Sequence, residues 1–228
     1  MKFYQKVLFL TFSVFIFLLV VSIIFFQLKR EEKIASIKGH NKNLVCGEDE
    51  VIDMDGNRYK TMQIDFQCWM AENMKSGFDA NGGKVKVFCY DDDPANCDLY
   101  GGLYHAEDAR RICPQGWRLP WDDDFKDLEK ILGINTPEVD SNGWRGEGIG
   151  RAIKDKSWGE GVFEFNVLPA GFMNSTGEFK GLNDQACLWG VAFNLEKSWM
   201  RALDRKDDRI FRGAVDNENG FSVRCLKN

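Results

Sequence analysis

Residues Ala109–Pro120, with the sequence ARRICPQGWRLP, decide most of what can be inferred about the fold. A segment with helical spacing ends at Cys113-Pro114, the chain turns through Gly116, and a second helix is predicted after Leu119-Pro120. Another cysteine, Cys225, lies in FSVRCLKN at residues 221–228, where apolar and polar residues alternate as in a half-buried strand. We expect these two distant segments to meet in the folded domain.

An uncharged apolar run occupies Val7–Phe26. Its 20 residues span about 30 Å as a helix, which is the hydrocarbon thickness of a bilayer. A cleaved signal peptide is the alternative, but no small-residue cleavage site follows the run. The sequence therefore predicts a transmembrane signal anchor at residues 1–28, a polar stalk at 29–45 that continues the helix as far as Gly39, and a folded domain at 46–228.

The orientation of this anchor depends on two opposing signals. Basic residues are more numerous after the run than before it, which favours a cytoplasmic domain. The seven cysteines lack Cys-x-x-Cys spacing and histidine partners, which favours structural disulfides in an oxidising compartment. We expect a domain that faces the periplasm or the cell exterior.

The charge of the chain changes at the same boundary. The formal net charge is −5 at pH 7, and residues 1–45 contribute +5, so the remainder carries −10. A domain this acidic does not bind nucleic acid by neutralising phosphates. Neutral polymers and surface proteins are the partners that we expect.

The domain is predicted to be α+β, with two helices near its middle and a loop-rich antiparallel sheet in its second half. The two predicted helices are Leu103–Ile112 and Phe125–Leu132, the second capped by Asp122. The predicted strands are a strand–turn–strand unit at Val51–Met70, a short strand at Lys84–Tyr90, and later strands at Phe163–Pro169, Gly171–Met173, Leu188–Phe193, Trp199–Leu203, Ile210–Val215 and Phe221–Leu226.

Three motifs stand out along the domain, which are Gly56-Asn57-x-Tyr59-Lys60-Thr61, Trp69-Met70-Ala71-Glu72-Asn73 and Cys113-Pro114-x-Gly116-Trp117-x-Leu119-Pro120. They resemble the Fibrobacter succinogenes major paralogous domain, a family found in bacterial surface and secreted proteins, and the likeness runs in order over residues 46–228. The resemblance implies a fold similar to C-type lectins and to the formylglycine-generating enzyme, in which terminal strands pair and a loop-rich half presents the binding surface. The sequence departs from the family pattern at Leu188-Trp189-Gly190, where an aromatic pair followed by Ser-Ser-Thr is common.

The resemblance, together with the cysteine spacing, implies three disulfides and one unpaired thiol. The expected pairs are Cys46–Cys68, Cys89–Cys97 and Cys113–Cys225. Cys187 is left over, and we interpret it as a small buried apolar residue, with a reactive or intermolecular thiol as the alternative.

The ligand-binding candidates are aromatic and charged. Trp69, Trp117 and Trp189 lie in apolar patterns and are predicted to be core, whereas Trp121 and Trp144 are flanked by charge and glycine and are predicted to be exposed. The late strands add further candidates, which are Trp199, Arg201, Asp204, Arg205, Arg209, Arg212 and Asp216. Asp91, Asp92 and Asp93 are a lesser candidate for calcium, and no other cofactor is predicted.

These observations predict a membrane-anchored, extracytoplasmic recognition module that binds a polysaccharide or a surface protein. No nucleophilic triad, phosphate loop or paired-carboxylate motif is evident, so the predicted role is non-catalytic. The first alternative is a structural subunit of an envelope or pilus-like assembly. The second is an enzyme of the formylglycine-generating type, which requires a reactive cysteine pair.

Overall fold

The computed structural model describes the backbone of residues 2–162 and 164–228, and the side chains of residue 12, residues 14–162 and residues 164–228. The described chain contains five α-helices and two β-sheets. The helices are α1 (Lys2–Asn43), α2 (Pro94–Tyr100), α3 (Ala106–Ala109), α4 (Asp122–Ile131) and α5 (Ile149–Ile153). The strands are β1 (Glu50–Ile52), β2 (Arg58–Ile64), β3 (Gln67–Met70), β4 (Trp117–Arg118), β5 (Gly143–Arg145), β6 (Ala170–Met173), β7 (Phe179–Leu182), β8 (Gln185–Ala192), β9 (Lys197–Asp204), β10 (Asp207–Asp216) and β11 (Leu226–Lys227). The predicted α+β class is confirmed.

The smaller sheet joins the two ends of the domain. Its order is β1-β2-β3-β11-β4, with every neighbouring pair antiparallel. The last strand, β11, is inserted between β3 and β4, where Leu226 faces both Trp69 and Arg118. Cys225, the residue before β11, is also hydrogen-bonded to β3, because the backbone N–H of Met70 donates to its carbonyl (3.0 Å). The two segments that the sequence predicted to meet therefore do so.

Three disulfides hold this arrangement, and they are the predicted pairs Cys46–Cys68, Cys89–Cys97 and Cys113–Cys225. The longest, Cys113–Cys225, closes a sequence separation of 112 residues and fixes β11 to the segment after α3. Cys187 is unpaired and buried, as predicted.

The larger sheet has the order β5-β10-β9-β8-β6-β7, and all its pairs are antiparallel except β6 with β8. One face packs against α4, where Phe125 and Leu128 join Leu188, Leu203 and Ile210 in a buried cluster. The other face carries the alternate residues, among them Cys187, Trp189 and Met200, and lies in a second buried cluster. Trp69, Trp117 and Trp189 are all buried, as predicted.

Helix α1 extends from the apolar run to the surface of the domain. It passes through Gly39, where the sequence predicted a stop, and its last turns pack against β1 with Ile34, Ile37 and Asn41 buried. Within the described residues, no helix has a stretch long and apolar enough to cross a bilayer. The side chains of residues 7–11 and 13, which belong to the predicted span, lie outside the described residues.

Several predicted elements differ from the structure. Lys84–Tyr90 is not a strand, because only isolated bridges pair Lys84 with Phe78 and Phe88 with Leu103. The predicted helix at Leu103–Ile112 is reduced to α3, because Leu103 and Tyr104 bridge extended segments instead. Residues 221–225 form bridges and irregular hydrogen bonds, so that only Leu226–Lys227 is a strand.

Two helices were not predicted, and one helix start and one strand were predicted wrongly. Helices α2 and α5 were not predicted, although Asp93 caps α2 and Pro94 begins it. Asp122 is the first residue of α4 and not its cap, because its carboxylate pairs with arginines from the larger sheet. The predicted strand Phe163–Pro169 is replaced by a loop with one bridge at Val167, and Phe163 lies outside the described residues.

Candidate functional site

Three exposed apolar side chains and one half-buried tryptophan lie at one end of the larger sheet, and we call them the aromatic patch: Trp121, Phe193, Leu195 and Trp199. Trp121 and Phe193 are each 55% exposed, and Leu195 at the tip of the β8–β9 hairpin is 98% exposed. The rings of Phe193 and Trp199 contact each other edge to face with centroids 5.0 Å apart. Because large apolar side chains rarely protrude together without a partner, this patch is the candidate interaction surface of the domain.

The hairpin turn explains why Leu195 protrudes. The side-chain oxygen of Asn194 accepts hydrogen bonds from the backbone N–H groups of Glu196 (2.9 Å) and Lys197 (2.8 Å), which tightens the turn. Asn217 donates to the Leu195 carbonyl (2.9 Å) and holds the turn from the side of β10. The backbone of the tip is therefore fixed while its side chain faces solvent.

The segment before α4 brings Trp121 to the same end of the sheet. The backbone N–H of Val191 donates to the Pro120 carbonyl (2.8 Å), which attaches this segment to the end of β8. Gly190 permits the close approach, because a Cβ atom there would lie 3.3 Å from the Trp199 Cβ and 3.4 Å from the Pro120 oxygen. The chain therefore enters Trp121, the next residue, close to the backbone of β8 and to Trp199.

Arg212 contacts the aromatic patch through the ring of Trp199. Its guanidinium lies 4.0 Å from the ring centroid of Trp199, a cation–π contact. It also donates two hydrogen bonds to the Asp122 carboxylate (2.9 and 2.6 Å) and one to the Asn142 side chain (2.7 Å). These contacts fix the orientation of the Trp199 ring relative to the start of α4.

A buried ion-pair cluster continues inward from Arg212. We define it as Asp122, Glu129, Arg145, Arg201 and Arg212. Arg201 donates to Glu129 (2.5 Å) and to Asp122 (3.0 Å), and Arg145 pairs with the other oxygen of Glu129. Asp122 and Glu129 are two turns apart on α4 and so share the face that covers the sheet, which places both carboxylates against the three arginines.

Burial and charge act in opposite directions on the pKa values of this cluster. At Asp122 burial favours the neutral acid, but the hydrogen bonds and charges of Arg212 and Arg201 outweigh it and lower the pKa to about 2. At Glu129 burial is the larger effect and raises the pKa despite two neighbouring arginines. Burial lowers the pKa of Arg145 to about 10. The buried charges of the cluster are thus paired with one another beneath the patch.

Two of the predicted ligand-binding residues belong to this cluster and not to the surface. Arg201 is 1% exposed and Arg212 is 6% exposed. Both use their guanidinium groups within the protein, because strand alternation places them on the face that α4 covers. They position the patch from within the domain.

Three other predicted residues lie at the opposite end of the larger sheet. Asp204 accepts a hydrogen bond from Gln185 (2.7 Å), Arg205 pairs with Asp184 (3.1 Å), and Arg209 pairs with Asp207 (2.7 Å). The buried amine of Lys154 holds this turn together by donating to the carbonyls of residues 204 and 207. The structure does not bring these three residues to the aromatic patch.

The last two predicted ligand-binding residues, Trp144 and Asp216, lie in different parts of the larger sheet. Trp144 on β5 pairs with Phe211, with ring centroids 5.5 Å apart, and so faces away from α4 on the opposite side of the sheet from Trp199. Trp144 is half-buried, whereas Trp121 is exposed. Asp216 is exposed at the patch end of β10, where it pairs in register with Lys197.

The calcium candidate is not supported by the geometry of its loop. Asp93 caps α2 by accepting from the backbone N–H of Ala95 (2.9 Å), while Asp91 and Asp92 adopt positive φ in a tight turn. Across the described residues, no group of three or more histidine, cysteine, aspartate or glutamate side chains is arranged to hold a metal ion.

Sequence reasoning missed Phe193 and Leu195 in the aromatic patch and Asp122 beneath it. The signal was available for the hairpin, because Phe193-Asn194-Leu195-Glu196-Lys197 places two large apolar residues around an asparagine turn. The partner of Asp122 was not visible, because Arg201 and Arg212 are 79 and 90 residues away.

Comparison with known proteins identifies a family that matches most of the domain. No curated protein and no solved structure matches the chain at a significant level. The Fibrobacter succinogenes major domain matches residues 62–227, which cover both sheets apart from β1 and the first part of β2. The chain therefore belongs to the Fibrobacter succinogenes major domain family.

Proposed function

We propose that this protein is a membrane-anchored, extracytoplasmic recognition module that binds a polysaccharide through the aromatic patch. The observation that carries the proposal is the joint exposure of Trp121, Phe193 and Leu195 at an end of the sheet whose hairpin turn is held by side-chain hydrogen bonds. Flat apolar faces of sugar rings stack on exposed aromatic rings. The carboxylates of Asp123 and Asp140, which each pair with Lys126 through one oxygen, keep a second oxygen that can accept from sugar hydroxyls.

The anchor is supported by residue 12 and residues 14–26 of α1, whose side chains the structure describes. Apolar side chains on every side of this helix, including Phe12, Phe17, Ile23 and Phe26, are 45% or more exposed. A helix that is apolar all round needs an apolar environment, and the uncharged run of residues 7–26 has the length of a bilayer span.

The extracytoplasmic location is supported by the three disulfides. Such bonds form and persist in oxidising compartments such as the periplasm and the cell exterior. The C-type-lectin-like fold is supported by the position of β11, which pairs the end of the domain with β3 near its beginning.

The role is proposed to be non-catalytic. Chemistry of the formylglycine-generating type needs a reactive cysteine pair. Cys187 is the unpaired thiol of the described chain, and burial raises its pKa to about 12, which opposes formation of the thiolate.

A second candidate function is a structural subunit of an envelope or pilus-like assembly. The almost complete exposure of Leu195 favours it, because an aliphatic side chain at a hairpin tip fits a protein pocket better than a sugar ring. In that case the same patch contacts a neighbouring subunit.

The test is a polysaccharide and glycan array probed with the full chain in detergent micelles, with calcium and then with chelator. We expect saturable binding that Trp121→Ala weakens by about tenfold or more, since a central aromatic anchor carries a large share of the binding energy. Trp144→Ala is the matched control, because it removes an aromatic ring from the opposite face of the sheet. Equal losses in the two variants would show that the patch is not the binding surface, and a blank array would favour the subunit role.

A further inference from the structure

An open cavity of about 710 Å³ lies where α1 leaves the domain, and no part of the recognition role uses it. The helix contributes Phe26, Lys29, Arg30 and Lys33 to its wall. The domain contributes the remaining lining residues, which are Met54, Asp55, Phe78, Gly82 and Lys84.

One side of the cavity is set by the docking of α1 on the domain. Arg30 donates to the Gly82 carbonyl (2.6 Å), which closes one side. One turn later Ile34 and Ile37 are buried, and Asn41 follows on the same stripe with a two-point hydrogen bond to Ile52. The cavity-lining residues of α1 therefore lie on the same side of the helix as these docked residues. They continue that side toward the apolar run.

The charge of the cavity is strongly positive. It contains four cations and one carboxylate, that of Asp55, which already accepts from the Ser76 hydroxyl (2.9 Å) and the Gly77 N–H (2.7 Å). In the described chain, none of Lys29, Arg30, Lys33 and Lys84 forms an ion pair. Four unpaired cations around one concave surface are complementary to a bound anion.

Its other walls are apolar. Phe26 and Phe78 face the cavity together with Met54, so a small hydrophilic anion would leave these side chains against water. A ligand that is complementary to both the cations and the apolar side chains of the cavity must carry an anionic group and an apolar group.

The position along the helix is that of a lipid headgroup. Phe26 is the last residue of the uncharged run, and Lys29 and Lys33 follow it by about 5 and 10 Å along the axis. The polar layer of a bilayer extends roughly 5 to 8 Å beyond the hydrocarbon core on each side. Lys29 therefore lies within this layer, and Lys33 lies just outside it with a side chain long enough to reach back. Lysine and arginine so placed attract anionic headgroups.

We propose that this cavity binds an anionic phospholipid of the surrounding leaflet, with its phosphodiester among the four cations and its glycerol and first methylenes against Phe26, Met54 and Phe78. The inference rests on the proposed membrane anchor. Bound lipid fastens the domain against the membrane surface in one orientation, because its headgroup contacts both α1 and the 78–84 loop.

The test begins with the full chain and vesicles of pure phosphatidylcholine, to which flotation must show stable attachment. The protein is then extracted in mild detergent, and native mass spectrometry counts bound phosphatidylglycerol and phosphatidylcholine at matched concentrations. The variant Lys29→Gln/Lys33→Gln/Lys84→Gln removes three cavity cations and leaves Arg30 in its structural contact. Its control, Lys42→Gln/Lys156→Gln/Lys206→Gln, removes the same charge from outside the cavity.

We expect phosphatidylglycerol to be preferred, and its affinity to fall roughly fivefold for each cavity lysine removed, while the control variant keeps the preference. Attachment to vesicles without any preference for phosphatidylglycerol, or an equal loss in both variants, would overturn the lipid site and leave the anchor intact. Displacement of the lipid by inorganic phosphate alone would overturn it as well, because the apolar walls would then contribute nothing. Failure to float would instead overturn the anchor, and the lipid site with it.

Discussion

Asp122 connects the ion-pair cluster to the aromatic patch, since its carboxylate contacts Arg201 on one side and Arg212 on the other. Arg212 in turn lies against Trp199. Asp122 is thus linked through Arg212 to the ring of Trp199 in the patch.

The low pKa of Asp122 predicts a specific dependence of stability on pH. Its pKa falls from 3.8 to about 2 on folding, so the ionised form stabilises the native state above pH 4, and this contribution is lost as the pH falls toward 2. Its size is roughly 2 kcal/mol. Urea unfolding of the wild type and Asp122→Asn should therefore show a stability difference at neutral pH that shrinks between pH 4 and pH 2. A difference that stays constant over this interval would contradict the ion-pair assignment.

At the scale of elements, the end of α1 is joined to β1 by one asparagine. Asn41 is fully buried, its amide donates to the Ile52 carbonyl (2.7 Å), and its side-chain oxygen accepts from the Ile52 N–H (2.9 Å). At the outer edge of the smaller sheet, Asn41 thus gives both backbone groups of Ile52 the hydrogen-bond partners that a neighbouring strand would provide.

Replacing Asn41 should loosen the helix without unfolding the domain. We expect Asn41→Ala to cost about 1 to 3 kcal/mol of local stability, because both backbone groups of Ile52 lose their partner. Hydrogen exchange at the Ile52 amide and at the last turns of α1 should accelerate, while exchange in the larger sheet stays unchanged. Asn43→Ala, an exposed position on the same helix, is the control. Equal exchange rates in both variants would mean that the docking of α1 does not depend on Asn41.

The elements also show how far the sequence alone leads. Strands β8, β9 and β10 and helix α4 were predictable within a few residues, because apolar periodicity reports which face is buried. Helix α2 was missed although Asp93-Pro94 is a start signal, since its exposed side chains carry no apolar stripe. Arg201 and Arg212 were predicted to be ligand-binding residues on the surface. Strand alternation indicates that they share one face of the sheet, but it does not indicate which element covers that face. The burial of both depends on α4, whose carboxylates are separated from them by more than 70 residues.

For the whole molecule, the disulfides differ in the length of chain that they constrain. The Cys113–Cys225 bond closes a separation of 112 residues and the Cys89–Cys97 bond one of 8. Loop-closure entropy gives upper values of about 4.8 and about 2.6 kcal/mol for the two bonds. The longer bond also fixes β11, on which the smaller sheet depends.

Removal of the two bonds should therefore have unequal effects. Cys113→Ala/Cys225→Ala is expected to lower the free energy of unfolding by about 2 kcal/mol more than Cys89→Ala/Cys97→Ala. Chemical denaturation under oxidising conditions measures both. A larger loss for the short loop would indicate that the Cys89–Cys97 turn, and not the pairing of the chain ends, limits stability.

The central claim is that the aromatic patch is a recognition surface outside the cytoplasm. Site-specific photo-crosslinking in intact cells tests it most directly, with benzoylphenylalanine placed at Trp121 in one full-length protein and at Trp144 in another. The account predicts adducts with a cell-surface polysaccharide, or with a surface protein, from position 121 and none from position 144. Equal adducts from both positions, or adducts with cytoplasmic components alone, would contradict it.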